Sequence, residues 1–518
     1  MELTDHISRT LAEFRFIPRL TPTGMTSDRI DLSAKLTKDK DEYEGLTLKL
    51  PVVSAAMQSV TGPDMSVALA QQGGMGVIFC SQNIEDEAKM IKAVKRARAG
   101  FVSNLEVVNP TTTLREVSDM ISSTGYNTIP VVDGNKDKYG RLLGLIEGPI
   151  PINLPSSVKS EEFMRKFIQR PLEDIVHELR AENSEDQDII RAVNDYVYHG
   201  ESNITLDEAN EILEEFYQKF IPIVNKDGTL KFMVFHKDLK AHQDFPDSVL
   251  DPGKRYLVGA AVNTHDYETR VPAVVEAGAD VIFIDSSDGY SEYMRDTIRF
   301  IKDNFKVPVV AGNVISDEAF LYLVESGADA VKLGMGGGSI CITQEQKGTG
   351  RGQATATFVI AEARDKYHKK TGTYIPLISD GGIATGKDIS VALAMGADLV
   401  MMGKYFATCH ESPPELIERE GNMYKEYWGE GSSRAKEWLN KRYGQTEFEE
   451  GVVAYVPYAG HVDKNLKDLS AKIRATMTSM GALNIQHLRE QSNGSLELIS
   501  ESSRDEGKVH DVTEIKQG

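Results

Sequence analysis

Eight short runs along the chain are apolar throughout rather than alternating: Pro51–Ala55, Gly76–Phe79, Tyr256–Ala261, Asp280–Asp285, Val307–Ala311, Asp329–Gly334, Pro376–Asp380 and Asp398–Gly403. Unbroken runs of this length fit parallel strands buried on both faces. Each ends in glycine or small polar residues, and a helical pattern follows it. Before three of them stands one phrase: EAGAD at Glu276–Asp280, ESGAD at Glu325–Asp329 and AMGAD at Ala394–Asp398. A helix closing at that glycine and a strand opening just after it is the grammar of an αβ loop. Eight such strands with intervening helices predict an α/β fold, the (β/α)8 TIM barrel.

One interval breaks the rhythm. About 175 residues separate the second run from the third, far more than a loop needs. Within it, Asn109–Ile150 and Thr205–Asp238 each run through a capping threonine, an amphipathic helix, an I-P-[VI]-V strand, a D-G turn and a further strand. This internal repeat predicts an inserted domain of two similar halves; the stretch between them, Pro151–Glu201, reads as charged and mostly helical. The expected division is residues 1–101 and 245–490 for the barrel, 102–244 for the insert and 491–518 for a polar tail.

Charge narrows the functions. Against 58 Lys and Arg stand 78 Asp and Glu, a formal net charge of -20. That argues against nucleic-acid or membrane-surface binding. A small anionic substrate remains compatible, because a few oriented backbone N–H groups hold one phosphate. Three cysteines, Cys80, Cys341 and Cys409, lie far apart and form neither a zinc motif nor a disulfide framework. The opening MELTDHISRTLAEFRF lacks the apolar core of a signal peptide, no run is long enough to span a membrane, and IKQG matches no retrieval signal. The expected location is the cytoplasm.

The strongest local signal is GMGGGSICIT at Gly334–Thr343, beginning where the sixth strand stops. Chemistry in this fold sits at the C-terminal ends of the strands. Four glycines in five residues let backbone amides approach an anion, or carbonyls a cation. The spacing is not the dinucleotide fingerprint. A lone cysteine is ordinarily a small buried hydrophobe; at a barrel mouth after this loop, Cys341 reads as a nucleophile. Cys80 and Cys409 have no such setting. Asp380-Gly381-Gly382 and Gly403-Lys404 end the seventh and eighth strands, where this fold usually grips phosphate. Asp285-Ser286-Ser287 ends the fourth strand and suits a ribose diol, although Asp and Ser also serve as helix caps there. Met423–Arg434 (MYKEYWGEGSSR), Arg442-Tyr443 and Phe448–Gly451 (FEEG) form a long aromatic and charged stretch suited to an active-site cover.

Taken together, these residues resemble the inosine 5′-monophosphate (IMP) dehydrogenases over nearly the whole chain: LAEFRFIP, SAAMQSVTG at Ser54–Gly62, DSSDG at Asp285–Gly289, GMGGGSICIT, SDGGI and YWGEGSSR. The resemblance implies that Cys341 attacks C2 of the purine, that NAD⁺ takes the hydride, and that water then releases xanthosine monophosphate from a covalent thioimidate. It implies Arg442 for water activation within an Arg-Tyr flap completed by Tyr443, and a supporting role for Thr343. An arginine base is unusual, because the guanidinium pKa exceeds about 12. Ser339, Asp380, Gly381, Gly382, Gly403, Lys404, Tyr427, Trp428, Gly429, Glu430, Gly431 and Glu450 fall on IMP positions. Asp285, Ser286, Ser287, Gly334, Met335 and Gly336 fall on the NAD side.

A K⁺ site is implied at the carbonyls of Gly336, Gly338 and Cys341, oxygen ligands that suit a hard cation. A neighbouring subunit of a homotetramer would complete it with Glu506, Gly507 and Lys508; Lys508 departs from the expected Glu-Gly-Gly. The insert is similar to a pair of cystathionine-β-synthase-type (CBS) modules. It departs from their Thr-x-x-Asp motif: Gly144–Pro149 lacks the aspartate, and Phe235 stands where the threonine preceding Asp238 belongs. Nucleotide sensor and scaffold both stay open. Guanosine monophosphate (GMP) reductases share the barrel and the cysteine loop but are expected to be shorter and to lack the flap; an inactive nucleotide sensor conflicts with intact Cys341, Thr343 and Arg442.

Overall fold

The computed structural model describes residues 7–39, 45–97, 101–102, 107–124, 128–133, 140–147, 159, 165–166, 213, 220–225, 227–235, 245–252, 255–435 and 449–508. All eight apolar runs form strands: β1 (Val52–Ser54), β2 (Met75–Ile78), β3 (Val258–Val262), β4 (Val281–Asp285), β5 (Val309–Val314), β6 (Ala330–Leu333), β7 (Leu377–Asp380) and β8 (Leu399–Met402). They pair in parallel and close into a barrel, with β8 joined to β1 through Val400↔Val52 and β2 to β3 through Gly76↔Val258. The TIM barrel expected from the patterning is therefore the fold. Helices α1 (Pro63–Gln71), α2 (Ile84–Arg96), α3 (Tyr267–Glu276), α4 (Glu292–Asn304), α5 (Asp317–Ser326), α6 (Gln353–Thr371), α7 (Gly386–Ala394) and α8 (Val462–Ser479) follow the successive strands. Covering helices leave the strands no wet face, which is why their sequences do not alternate.

The repeated Gly-Ala-Asp phrase has a physical use beyond the turn. Gly278, Gly327 and Gly396 have φ of 100°, 114° and 111°, the left-handed geometry that ends a helix cheaply at glycine. Each following aspartate then exchanges two hydrogen bonds with the first residue of the preceding strand or the one beside it. Its amide donates to the carbonyl of Val258, Val309 or Leu377 at 2.8–3.0 Å. Its carboxylate accepts the N–H of the same residue, at 2.8 Å for Asp280, 2.9 Å for Asp329 and 2.8 Å for Asp398. Cations close these clamps: Lys95 on Asp280, Lys302 on Asp329, and Arg364 with Arg489 on Asp398. Burial alone would raise the Asp329 carboxyl, but Lys302, Lys38 and the Val309 amide together hold it below the ordinary aspartate value.

Contacts divide the chain into two units, Met1–Lys95 with Asp247–Val249 and Leu257–Gly518, and Arg96–Pro246 with Leu250–Tyr256. In the second unit each half of the repeat carries a hairpin, Thr128–Val132 with Leu142–Glu147 and Phe220–Val224 with Leu230–Phe235. The hairpins bond to each other: Leu142 donates to the Gly228 carbonyl at 3.0 Å and Leu230 to that of Gly140 at 3.1 Å. Val132, Leu142, Val224 and Leu230 share one buried cluster. Pro151–Glu201 and Asp238 lie almost wholly outside the described residues.

Within the segment expected as a polar tail, Leu496–Leu498 pairs antiparallel with Phe14–Phe16, and Glu501–Glu506 is helical. Among the described residues no helix is long and apolar enough to cross a membrane.

Candidate functional site

Four adjacent strands deliver polar groups to the barrel mouth. β4 ends in Asp285, β5 carries Asn313, β6 carries Lys332 and β7 ends in Asp380. Lys332 is 2 % exposed. Its ammonium donates to Asp285 Oδ1 at 3.0 Å, to Asp380 Oδ2 at 2.9 Å and to Asn313 Oδ1. Asn313 Nδ2 donates in turn to Asp380 Oδ2 at 2.9 Å. Burial alone would lower the lysine pKa, but Asp285 and Asp380 outweigh it and hold the ammonium above its ordinary value.

The glycine loop leaves β6 at Gly334, whose φ is 131°. A Cβ there would stand 2.0 Å from the Asp380 carbonyl oxygen, so only glycine lets the loops after β6 and β7 approach this closely. Cys341 follows, half-buried, its amide donating to the Gly338 carbonyl at 3.1 Å. The thiol Sγ lies 3.1 Å from Thr343 Oγ1, and that hydroxyl donates to Glu450 Oε2 at 3.1 Å. Lys347 Nζ stands 2.9 Å from Glu450 Oε1. Glu450 reaches this place because Ile342 donates to its carbonyl at 3.0 Å and Val452 donates to that of Ile340 at 3.1 Å. The resulting chain, thiol to hydroxyl to carboxylate, can carry the cysteine proton away from sulfur. Among the described residues no hydroxyl-to-carboxylate chain leads from Cys80 or Cys409, and burial pushes the Cys80 thiol well up and that of Cys409 up to about 12.

A three-stranded antiparallel sheet, Leu416–Arg419, Asn422–Trp428 and Val453–Pro457, supplies the cover. A Cβ on Gly403 would stand 2.8 Å from the Tyr427 hydroxyl, which places that phenol over the end of β8. Burial raises the Tyr427 pKa, and the charges of Asp380 and Cys341 add to it. The segment after β1 clamps the cover. Trp428 Nε1 donates to Gln58 Oε1 at 3.0 Å, Ser59 Oγ donates to the Trp428 carbonyl at 2.9 Å, and the Gln58 amide donates to Glu430 Oε1 at 2.7 Å. Burial pushes the Glu430 carboxyl up to about 7, with Asp285 contributing. Gly429 and Gly431 bond to the segment carrying Glu450: Gly429 donates to the Val452 carbonyl at 3.2 Å, and Glu450 to that of Gly431 at 3.0 Å.

The remaining expected residues are distributed unevenly. Ser339 and Lys404 are exposed, the latter opening the short helix Lys404–Ala407 after β8. Ser286 Oγ donates to the Asp288 carbonyl at 3.0 Å beside Asp285, and Ser287 is exposed. Arg442 and Tyr443 lie outside the described residues. Glu506 and Gly507 end the helix Glu501–Glu506, with Gly507 against the Arg15 guanidinium, and Lys508 Nζ donates to Asp505 Oδ1 at 2.7 Å. Of the three loop carbonyls expected to hold a cation, that of Gly338 accepts the Cys341 amide. Among the described residues no donor stands on those of Gly336 and Cys341. No cluster of three or more His, Cys, Asp or Glu that could hold a metal occurs among the described residues.

With this geometry in place, comparison with known proteins gives the family. A model described as the IMP dehydrogenase / GMP reductase domain matches residues 9–510. The chain belongs to the IMP dehydrogenase / GMP reductase family. It is 43% identical over 511 residues to an inosine-5'-monophosphate dehydrogenase of Tritrichomonas foetus, covering 97% of this chain and 96% of that one. A second enzyme of that name, from Aquifex aeolicus, is 35% identical and matches 93% of this chain and 91% of its own length. Among solved structures, a cysteine-to-alanine variant of GMP reductase from Trypanosoma brucei, in complex with guanosine 5'-monophosphate, superposes with a TM-score of 0.76 at 26% identity, over 98% of both chains. That match corrects one expectation. A GMP reductase of full matching length exists, so chain length does not separate the two activities.

Sequence reasoning in this family site missed Lys332, Asn313, Gln58 and Gln353. A lysine inside the apolar strand Ala-Val-Lys-Leu was a readable anomaly, since buried lysines are paired or functional. Gln353 donates to the Leu333 carbonyl at 3.1 Å and to Ser379 Oγ at 2.8 Å, while its buried Oε1 points to the glycine loop with no hydrogen-bond partner among the described residues. Gln58 stood inside the motif SAAMQSVTG without a role assigned to it, and nothing in the sequence marked Asn313 or Gln353.

Proposed function

We propose that this protein is an IMP dehydrogenase, oxidising IMP to xanthosine monophosphate for guanine nucleotide synthesis. The observation that carries this reading is the half-exposed Cys341 thiol, joined through Thr343 to Glu450 at the end of the glycine loop. Cys341 adds to C2 of the purine as its proton leaves toward Thr343. A hydride then departs from C2, and bound NAD⁺ supplies the acceptor. Asp380 and the loops at Gly381-Gly382 and Gly403-Lys404 hold the ribose and phosphate of IMP; Tyr427 to Gly431 and Glu450 enclose it. Asp285 with Ser286 and Ser287 holds the ribose of the dinucleotide beside Gly334–Gly336. Arg442, with Tyr443, activates the water that hydrolyses the Cys341 thioimidate.

The carbonyls of Gly336 and Cys341, on which no donor stands among the described residues, suit a monovalent cation, K⁺, with that of Gly338 as a third ligand. Glu506, Gly507 and Lys508 of a neighbouring copy complete that site, which makes the working form an oligomer, a homotetramer in this reading. Asp505 pairs with the Lys508 ammonium and lessens its competition with the cation. The inserted unit is a pair of CBS-type modules, supported by its two bonded hairpins. The location is the cytoplasm.

Purified protein given IMP, NAD⁺ and K⁺ is expected to produce NADH and a Cys341 adduct visible by mass spectrometry; absence of both sinks the reading. Consumption of NADPH with GMP instead identifies a reductase, the activity named for the Trypanosoma brucei relative. Arg442→Ala should retain a burst of NADH while losing steady turnover. Loss of the burst as well would show that Arg442 acts before hydrolysis.

A further inference from the structure

We propose that Lys332 is a positioning residue that couples the two nucleotide subsites, holding the carboxylates of Asp285 and Asp380 on one ammonium. This rests on the reading that Asp285 serves the dinucleotide and Asp380 serves IMP. The geometry carries it. Three acceptors from three strands converge on one nitrogen: Asp285 Oδ1 at 3.0 Å, Asp380 Oδ2 at 2.9 Å and Asn313 Oδ1. An ammonium has three protons to donate, so this one is fully committed. The lysine side chain is 3 % exposed, whereas those of Asp285 and Asp380 are 34 % and 21 % exposed. The cation therefore lies beneath the site, and the carboxylates reach upward from it with oxygen atoms to spare for ribose hydroxyls.

Two consequences follow from sharing one cation. The ammonium offsets the charge of both carboxylates and fixes the orientation of each. Without it, two carboxylates held within a few ångströms of the same point repel, and one of them takes up a proton at higher pH. The environment is specialised for this arrangement. A Cβ on Gly312 would stand 2.8 Å from the Lys332 Cβ and closer still to its carbonyl oxygen, so β5 needs glycine where it passes the lysine. Asn313, next in that strand, completes the shell and also donates to Asp380 at 2.9 Å. Both subsites thus hang from one buried side chain.

The test compares wild type, Lys332→Met and Lys332→Arg in steady-state IMP oxidation across pH, with thermal unfolding as a check on the fold. Lys332→Met, which keeps the unbranched apolar stem but not the charge, is expected to raise KM for IMP and for NAD⁺ together, each by about tenfold or more. The acidic limb of its kcat/KM profile should move upward by about one pH unit, from carboxylate repulsion. Lys332→Arg should restore the profile. A wild-type pH profile and unchanged KM values in Lys332→Met overturn the proposal. So does a change confined to one substrate. Should Lys332→Met fail to fold, Asp285→Asn decides. Loss of the carboxylate on the dinucleotide side must then also raise KM for IMP through the shared lysine, and an unchanged KM for IMP overturns the coupling. Absence of NADH from wild type itself overturns the functional reading, whereas wild-type turnover with an unmoved Lys332→Met profile overturns the positioning role alone.

Discussion

The two rims of the barrel handle buried charge in opposite ways. At the rim where strands begin, Asp398 has every lone pair in use: Tyr374 and Arg489 donate to Oδ1 at 2.7 and 2.9 Å, and the Leu377 amide and Arg364 to Oδ2 at 2.8 and 3.3 Å. At the rim where strands end, two carboxylates share Lys332, and Gln353 Oε1 has no hydrogen-bond partner among the described residues. The Asp398 clamp is closed on itself and serves stability; the mouth keeps acceptors and a thiol within reach of a visitor. This division of labour is the general one for the fold. Here it can be read bond by bond.

Mutations should separate the rims, and the largest effect belongs to the open one. Cys341→Ala is expected to lower IMP oxidation by a factor of about 10³ or more while leaving thermal unfolding unchanged, because a nucleophile has no substitute. A destabilised but active Cys341→Ala enzyme would break the comparison. Next comes the closed rim. Asp398→Ala removes the carboxylate shared by Arg364, 2 % exposed, and Arg489, and should cost about 3–5 kcal/mol in denaturant unfolding. KM for both nucleotides should stay near wild type in the surviving folded fraction.

Two smaller effects sharpen the picture of the mouth. Thr343→Val removes the hydroxyl between Cys341 and Glu450 and should slow the NADH burst by about 10²-fold, the low end of a general acid–base contribution. An unchanged burst would detach Glu450 from the thiol. Glu430 gives the smallest effect, a pH slope. Its carboxyl is raised from 4.5 to about 7 by burial, so the folded state holds a proton that the unfolded chain has lost. Its contribution to stability is present below the unfolded value and is lost as pH rises through about 7. Wild-type thermal midpoints should therefore fall between those values, and Glu430→Gln should flatten that slope; equal slopes would mean that the group is not sheltered in solution.

Much of this was legible in the chain. The eight largely apolar runs predicted the strands within a few residues, because a strand buried on both faces is apolar at nearly every position. The Gly-Ala-Asp repeats marked where helices end, because a left-handed turn selects glycine. GMGGGSICIT identified Cys341, since few loops concentrate glycine and a thiol at a strand end. Periodicity also exposed the insert, whose two hairpins repeat one local pattern. All of these are short-range properties, written into neighbouring residues and their backbone geometry.

Tertiary structure alone decided the partnerships. Thr343 and Glu450 are 107 residues apart, Gln58 and Trp428 370 apart, and Lys332 and Asp285 47 apart; closing the barrel brings each pair within about 3 Å. No local pattern encodes such pairs, because a hydrogen bond depends on where two backbones meet and not on the residues beside either one. The aspartates of the Gly-Ala-Asp phrase illustrate both halves of the matter. Their place after the turn was readable from sequence, but their use as clamps on the preceding strand required the strand beside them.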